Sequence, residues 1–429
     1  MPTGRRSLAG HLLLLSLLAA ILTGTLPNWP SWPAGVLGWS AGALLYPDIA
    51  ARTRRVVLML SSIGITGISW HLIQNHELLL IPALSRNHAL IALLAAVSYL
   101  RLINFDTRSN GQSQPRGLPA VLQTMLGAQL FGAVINLSAI FIMGDRLSRS
   151  RPLQRDQALV LSRGMASATF WSPFFASTAV TLTYAPGADF FRLMPWGLLL
   201  AVIAHLLTAL QFGLPHANQR STNFEGYPLR PATLWLPALL AVGVLTMTRL
   251  FPQLSVLTVI TIIAPLLTIA LLLRQSRHTA YQQLSEHTSE RLPNMAGELL
   301  LFLSAGLLAG GLELLFAQLP PGFGPTALTT PGASLALLTM VALALIGVHP
   351  IISITTFGTW VAPLHPDPNM LALMFLMTWG LSVGLSPFSG IQLSIQGRYD
   401  ISGHRMMRGN LLYSAPLLVA ALLLLFLRY

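Results

Sequence analysis

Runs of roughly 17 to 25 apolar residues recur along the chain from Leu12 to Phe426, each the length a helix needs to cross the hydrocarbon of a bilayer. A water-soluble domain cannot bury so many of them. The hydrophobic fraction is 53%, only 9% of the 429 residues are charged, and the mean hydropathy is +0.65. The solvent for most of this chain is therefore lipid, where backbone polar groups must be satisfied inside helices or inside the protein. The fold class that follows is all-α integral membrane, with no soluble domain left over.

The formal net charge of +12 comes from arginine alone, since the 25 basic residues include no lysine. Those arginines fall in short connections between apolar runs, as cytoplasmic loops require, without the interleaved aromatics that stack on bases, and this excludes nucleic acid as a partner. The chain has no cysteine, which excludes disulfides and thiolate-held metals or clusters. No HExxH, no paired carboxylates and no phosphate-binding glycine loop with lysine occurs, so an enzyme and a cofactor are not expected.

Arginine placement sets a topology. Arg5 and Arg6 precede a first span, Ser7 to Leu26, which reads as a retained helix because no small-x-small cleavage site precedes Pro27. Ala34 to Tyr46, Val56 to Ile73 and His88 to Ile103 follow, with Arg52, Arg54 and Arg55, then Arg101, Arg108 and Arg116, on the cytoplasmic side. Leu118 to Gly144 is long enough to cross, yet Arg146, Arg149, Arg151 and Arg155 come straight after it. A re-entrant hairpin broken near Asn136 and Ser138 returns those arginines to the cytoplasm.

Gln157 to Tyr184 then goes out and Leu193 to Phe212 returns to a loop holding His216, Arg220, Glu225 and Arg230. Leu234 to Leu250, Val256 to Leu273 and Met295 to Gln318 follow, and Ser334 to Val361, with no basic flank, reads as a second hairpin entered from outside. Asn369 to Gln396 and Asn410 to Leu427 complete about 11 transmembrane helices plus two re-entrant hairpins. The amino terminus is cytoplasmic, the carboxy terminus is outside, and twenty of the 25 arginines lie on the cytoplasmic side of a bacterial-type inner membrane.

Ser172-Pro173-Phe174 and Ser386-Pro387-Phe388 interrupt the span after each hairpin, where proline cannot donate to the helix ladder, so both spans are broken helices. Arg192-Leu193-Met194 and Arg405-Met406-Met407 open the spans after those, and Gly144 pairs with Gly358. The domain plan is an amino-terminal helix over 1–30, inverted repeat 1 over 31–215 (hairpin 118–144, broken helix 157–184), a cytoplasmic linker over 216–231, and inverted repeat 2 over 232–429 (hairpin 334–361, broken helix 369–396).

With Ser386-Pro387-Phe388-Ser389-Gly390-Ile391-Gln392-Leu393 and Gly397 before its closing span, the chain resembles the ion transporter superfamily, which includes divalent-anion sodium symporters, citrate carriers and the large membrane subunit of TRAP transporters. The tips Asn136-Leu137-Ser138 and Val348-His349-Pro350-Ile351-Ile352-Ser353 stand where its symporters carry Ser-Asn-Thr, without the full triplet. The resemblance implies secondary active transport of a small organic anion by alternating access, coupled to Na+ or H+, and a homodimer. A TRAP-type permease would add a small membrane subunit and a periplasmic binding protein. A lipid-carrier flippase of envelope synthesis is the other reading, for which only His349 and Arg163 could meet a pyrophosphate.

Helix breaks in mid-membrane expose N–H groups to anions and carbonyls to cations. The candidate ligands are Asn136 and Ser138 at the first tip, Ser172, Ser177 and Thr178 at the first break, His349 and Ser353 at the second tip, and Ser386, Ser389 and Gln392 at the second break. The bland alternative for the hydroxyls is that they satisfy the broken backbone. Arg163, before the first break, is the candidate charge partner for a carboxylate, with snorkelling as its alternative. Glu298 and Glu313 fall near membrane boundaries, and Asp145, Asp156, Asp189 and Asp400 at solvated span ends. Arg274 to Arg291 reads as an amphipathic helix on the cytoplasmic surface.

Overall fold

The computed structural model describes residues 4–103, 115–149, 151–214, 222–229, 235–319 and 326–429. Arg108, His216, Arg220 and Arg230, and the linker beyond 222–229, lie outside them. The regular structure of the described residues is helical apart from one isolated antiparallel bridge, Arg116 to Glu225. In chain order the α-helices are α1 (Gly4–Thr25), α2 (Trp32–Leu45), α3 (Ala51–Asn75), α4 (Leu80–Ser85), α5 (His88–Ser98), α6 (Leu118–Ile135), α7 (Ser138–Leu147), α8 (Arg155–Ala168), α9 (Ala176–Tyr184) and α10 (Phe190–Gly213). After the linker come α11 (Trp235–Leu250), α12 (Val256–Gln275), α13 (Arg277–Glu286), α14 (Ala296–Phe316), α15 (Thr330–Leu345), α16 (Pro350–Val361), α17 (Pro368–Leu385), α18 (Gly390–Tyr399) and α19 (Gly403–Arg428).

Among the described residues, nine helical stretches are long and apolar enough to cross a membrane, where the sequence leads to eleven crossings. Eight of the nine match expected crossings; the ninth, Leu118–Ile135, is the arm expected to open the first hairpin, and the three crossings that fall away do so for a geometric reason. At 1.5 Å per residue, α2 with 14 residues and α11 with 16 fall short of ~30 Å of hydrocarbon. The segment expected to span over 157–184 is cut into α8 of 14 residues and α9 of 9.

The chain divides into two compact units that do not follow its sequential halves. One contains residues 1–104, 240–327 and 355–365; the other contains 105–239, 328–354 and 366–429. In the first unit α3 and α14 approach until backbones touch. A Cβ at Gly67 would land on the Gly311 carbonyl, and one at Gly311 on the Gly64 carbonyl. Lipid supplies no hydrophobic drive between helices, so this small-residue seam associates through dispersion at close range. Asn87 adds a hydrogen bond from Nδ2 to the Phe302 carbonyl at 2.7 Å, and Arg86 pairs with Glu313. The surface segment expected at Arg274 to Arg291 forms α13 and a π-turn, His287–Arg291, whose His287 meets the Ser98 hydroxyl at 2.8 Å.

In the second unit ten helix starts recur at a near-constant spacing. Leu118, Ser138, Arg155, Ala176 and Phe190 open α6 to α10, and Thr330, Pro350, Pro368, Gly390 and Gly403 open α15 to α19, so successive starts are 212, 212, 213, 214 and 213 positions apart. Gly144, the seventh residue of α7, therefore does not match Gly358, the ninth of α16; that pairing slips by two. Packing repeats as well: α6 lies on α8 and α10, and α15 on α17 and α19. Between repeats the partners exchange. The helix α8 meets α18 and α19, while α17 meets α9 and α10. The centre of this unit is α17, whose residues from Met370 to Leu385 are all buried.

Candidate functional site

The second unit places both proline breaks in its interior. At the first, α8 stops at Ala168 and α9 starts at Ala176; at the second, α17 stops at Leu385 and α18 starts at Gly390. The serine of each Ser-Pro-Phe accepts a hydrogen bond from the phenylalanine amide two residues on, at 3.2 Å for Ser172 and 3.4 Å for Ser386. A proline contributes no donor, and the serine hydroxyl turns the chain by bonding locally instead.

Three hydroxyls around the first break are engaged with backbone, while Trp171 Nε1 and Thr181 Oγ1 beside them have no hydrogen-bond partner. Ser172 donates to the Ala133 carbonyl at 2.6 Å, Ser177 to Thr169 at 2.8 Å and Thr178 to Ser172 at 2.6 Å. The tip between α6 and α7 joins them: Asn136 Nδ2 donates to the Phe174 carbonyl at 3.4 Å. Asn136 itself has φ +51° and ψ −138°, a conformation rare for a residue with a Cβ. Its neighbour Leu137 stands beside the second break, where a Cβ on Gly390 would lie 3.9 Å from Leu137 Cδ1. Ser138 opens α7 beside them, half-buried.

The second break is differently equipped. Ser389 caps α18 by accepting from the Gln392 amide at 3.3 Å. The Gln392 side chain is fully buried, and its Nε2 donates to Ser162 Oγ at 3.1 Å and to the Gly384 carbonyl at 3.2 Å, which fixes the amide orientation. Its Oε1 has no hydrogen-bond partner. Neither do the hydroxyls of Thr378 and Ser382, both fully buried and one turn apart on the same face of α17. Leaving a buried polar group unmade costs about 1–3 kcal/mol, so three of them on one broken helix need a partner.

At the second tip, His349 Nδ1 accepts from the Ile351 amide at 3.2 Å, and its ring meets Trp379 of α17 edge-on at 5.6 Å. Trp379 lies about two helical turns before Ser386, so His349 is gathered against the shaft of α17, away from the Ser386 turn. Ser353 is buried with its hydroxyl unpartnered.

Arg163, expected to face substrate, is placed instead against the closing helices α10 and α19. It is 1% exposed, with Nε to Asn410 Oδ1 at 3.0 Å, Nη2 to the Gly409 carbonyl at 3.1 Å, Nη1 to Thr208 Oγ1 at 3.4 Å and the guanidinium 4.3 Å from the Tyr413 ring centre. It neither snorkels nor reaches the break. At the chain's polar ends, Asp189 caps α10, whereas Asp145 is gripped by Arg398 through two bonds of 2.7 and 2.6 Å and by the Tyr399 hydroxyl at 2.9 Å. The Arg398 guanidinium, helped by that hydroxyl, holds the Asp145 carboxyl below the usual carboxylate range.

The sequence reading missed Thr378, Ser382, Ser162, Trp379 and Asn410. Polar residues spaced four apart in an otherwise apolar helix, as Thr378 and Ser382 are, were the available signal.

No protein-family profile matches the chain, and no curated protein matches it in sequence. Among solved structures it is similar to the YdaH transporter of Alcanivorax borkumensis, described as having an unusual topology, at 15% identity over 99% of this chain and 97% of that one, with a TM-score of 0.46. It is also similar to MtrF of Neisseria gonorrhoeae, described within a class of antimetabolite efflux pumps, at 13% identity over 99% and 95% of the two chains, with a TM-score of 0.38. These likenesses are too distant to say what this chain does.

Proposed function

We propose that this chain is a secondary transporter that binds a small polar solute at the second helix break and carries it across the inner membrane by alternating access. The observation that carries the reading is the set of buried, unpartnered polar atoms gathered on α17 and α18, Gln392 Oε1, Ser382 Oγ and Thr378 Oγ1. A solute with hydrogen-bonding groups supplies what these atoms lack. The first turn of α18, capped by Ser389, adds N–H groups that favour an anionic end, which makes an organic anion the preferred class. Both proline breaks and the tip at Asn136 fall in one compact unit, as a solute-carrying body requires, and the inverted two-repeat plan gives the two accessible states. Coupling to Na+ or H+ completes the cycle; neutral oxygen ligands at the break suit the first and His349 the second.

The test is a thermal-unfolding screen of purified protein against small carboxylates, sulfate, phosphate and sugars, each with Na+ or K+ and at two pH values. A bound solute at ~100 Kd stabilises by about 2.7 kcal/mol, a shift that is easily read. The expected result is a solute-dependent rise in the wild type that Gln392→Met loses. No shift with any solute would remove the reading.

A further inference from the structure

We propose that the two hairpins have different tasks: the first, α6 with α7, is a fixed wall, and the second, α15 with the start of α16, is the moving gate. The first hairpin is tied down along both arms. Part of the connection between the repeats, Phe224 to Leu229, runs back along α6 as a strap. The Gly117 amide donates to the Phe224 carbonyl at 3.2 Å and the Gly226 amide to the Pro115 carbonyl at 2.8 Å. Further along, the Tyr227 amide donates to Thr124 Oγ1 at 2.8 Å. Glu225 receives Arg116 at 2.7 Å and Arg151 at 2.8 Å, while Phe224 and Tyr227 are buried. Gly226 is pressed so closely on α6 that a Cβ would meet the Ala120 carbonyl at 2.6 Å.

The other arm is held by α18. Arg398 and Tyr399 grip Asp145, and Tyr399 reaches on toward the Phe141 carbonyl at 3.3 Å. The tip is fastened too, through Ser172 to Ala133 and Asn136 to Phe174. Moving this hairpin would break all of these bonds together.

The second packs on α17 and α19 without a comparable set of polar bonds. Among the described residues, no hydrogen bond or ion pair joins residues 330–354 to another element; the bonds their side chains make stay within the hairpin. Ser334 and Ser353 are buried with unpartnered hydroxyls, as Gln129 Oε1 is in the first hairpin, so it is the bonds to other elements that set the two apart. The tip turns through Gly347 at φ +98°, next to Ile346 at 74% exposed, and its polar contact with α17 is the ring edge between His349 and Trp379. The sequence repeat is two-fold, but the fastening is one-sided.

What passes the gate rests on the transport reading; the mobility does not. Hydrogen–deuterium exchange of the full chain in lipid nanodiscs, without solute, is expected to show amides of residues 346–352 exchanging at least tenfold faster than those of 135–141. Nitroxide labels at L137C and V348C, introduced into a chain free of native cysteine, are expected to report an immobile and a mobile tip respectively. Gly226→Leu, which displaces the strap, should raise exchange in 118–135 and leave 330–354 unchanged. Equal exchange at the two tips, or a faster first tip, overturns the proposal whatever the solute screen finds, and a silent screen leaves a measured difference in exchange standing.

Discussion

Arg163 Nε and Asn410 Oδ1 meet at 3.0 Å, and Asn410 passes a hydrogen bond on from its Nδ2 to the Gly384 carbonyl at 2.8 Å, one residue before α17 ends. A guanidinium on α8 is thereby linked through α19 to the second helix break. The charge is spread over carbonyl, amide, hydroxyl and aromatic partners, each of which loses a bond if it goes.

Replacing it tests that linkage. Arg163→Met should destabilise the protein by about 2–4 kcal/mol, since hydrogen bonds to charged groups are worth about 1.5–3 kcal/mol and the abandoned partners stay buried. Asn410→Ala should cost a similar amount, and the double variant clearly less than the sum, because the residues share one network. Denaturant or thermal unfolding in detergent reads all three; simple additivity would show that they act separately.

The two serines of the Ser-Pro-Phe turns should respond differently. Ser172→Ala removes a donor to the Ala133 carbonyl and should cost about 1–2 kcal/mol. Ser386→Ala removes a long acceptor contact and should leave stability within about 0.5 kcal/mol while weakening solute binding. Unfolding midpoints with and without the solute found by screening separate the two, and equal losses of stability would contradict the assignment.

The Asp145 clamp gives a pH dependence with a definite sign. Its carboxyl is held below the ordinary value, so the clamp's contribution to stability is fully present above the unfolded carboxylate pKa, about 3.9, and is lost as pH falls through the lower folded value. Asp145→Asn should therefore flatten the fall in unfolding temperature below about pH 4. An unchanged profile would mean that other carboxylates control acid unfolding.

In the first unit, Gly67→Leu should be among the most damaging single changes, because the added side chain would start inside the Gly311 backbone. Overpacking costs about 1–3 kcal/mol where a core can shift, and two backbones in contact leave less room than that. Expression level and monodispersity in detergent would show the loss.

The helix breaks are legible in the sequence because proline removes a donor and hydroxyls cluster around it, so Asn136, Ser172 and Ser386 all fall at chain reversals or interruptions. The function of individual polar side chains is not legible in this way. Ser172 and Gln392 look alike as candidates, and only the fold reveals that one is saturated by carbonyls while the other keeps a bare oxygen. Long-range partners are equally hidden: nothing local to Asp145 announces Arg398, and a polar linker gives no sign that Phe224 and Tyr227 tuck against a hairpin. Arg163 misleads for a related reason, since its distance from the break along the helix says nothing of the direction in which it points.

The Arg163 partners also set an order of events during synthesis. Asn410 is made 247 residues later, a delay of roughly 12 to 50 s at ribosomal speed. Throughout that interval α8 carries an arginine whose partner Thr208 is already made but whose partners on α19 do not yet exist. The nascent helix must keep it at the interface, or lend it to an insertion factor, until the last helix emerges. A chain that stops before α19 therefore leaves Arg163 without its Gly409, Asn410 and Tyr413 contacts.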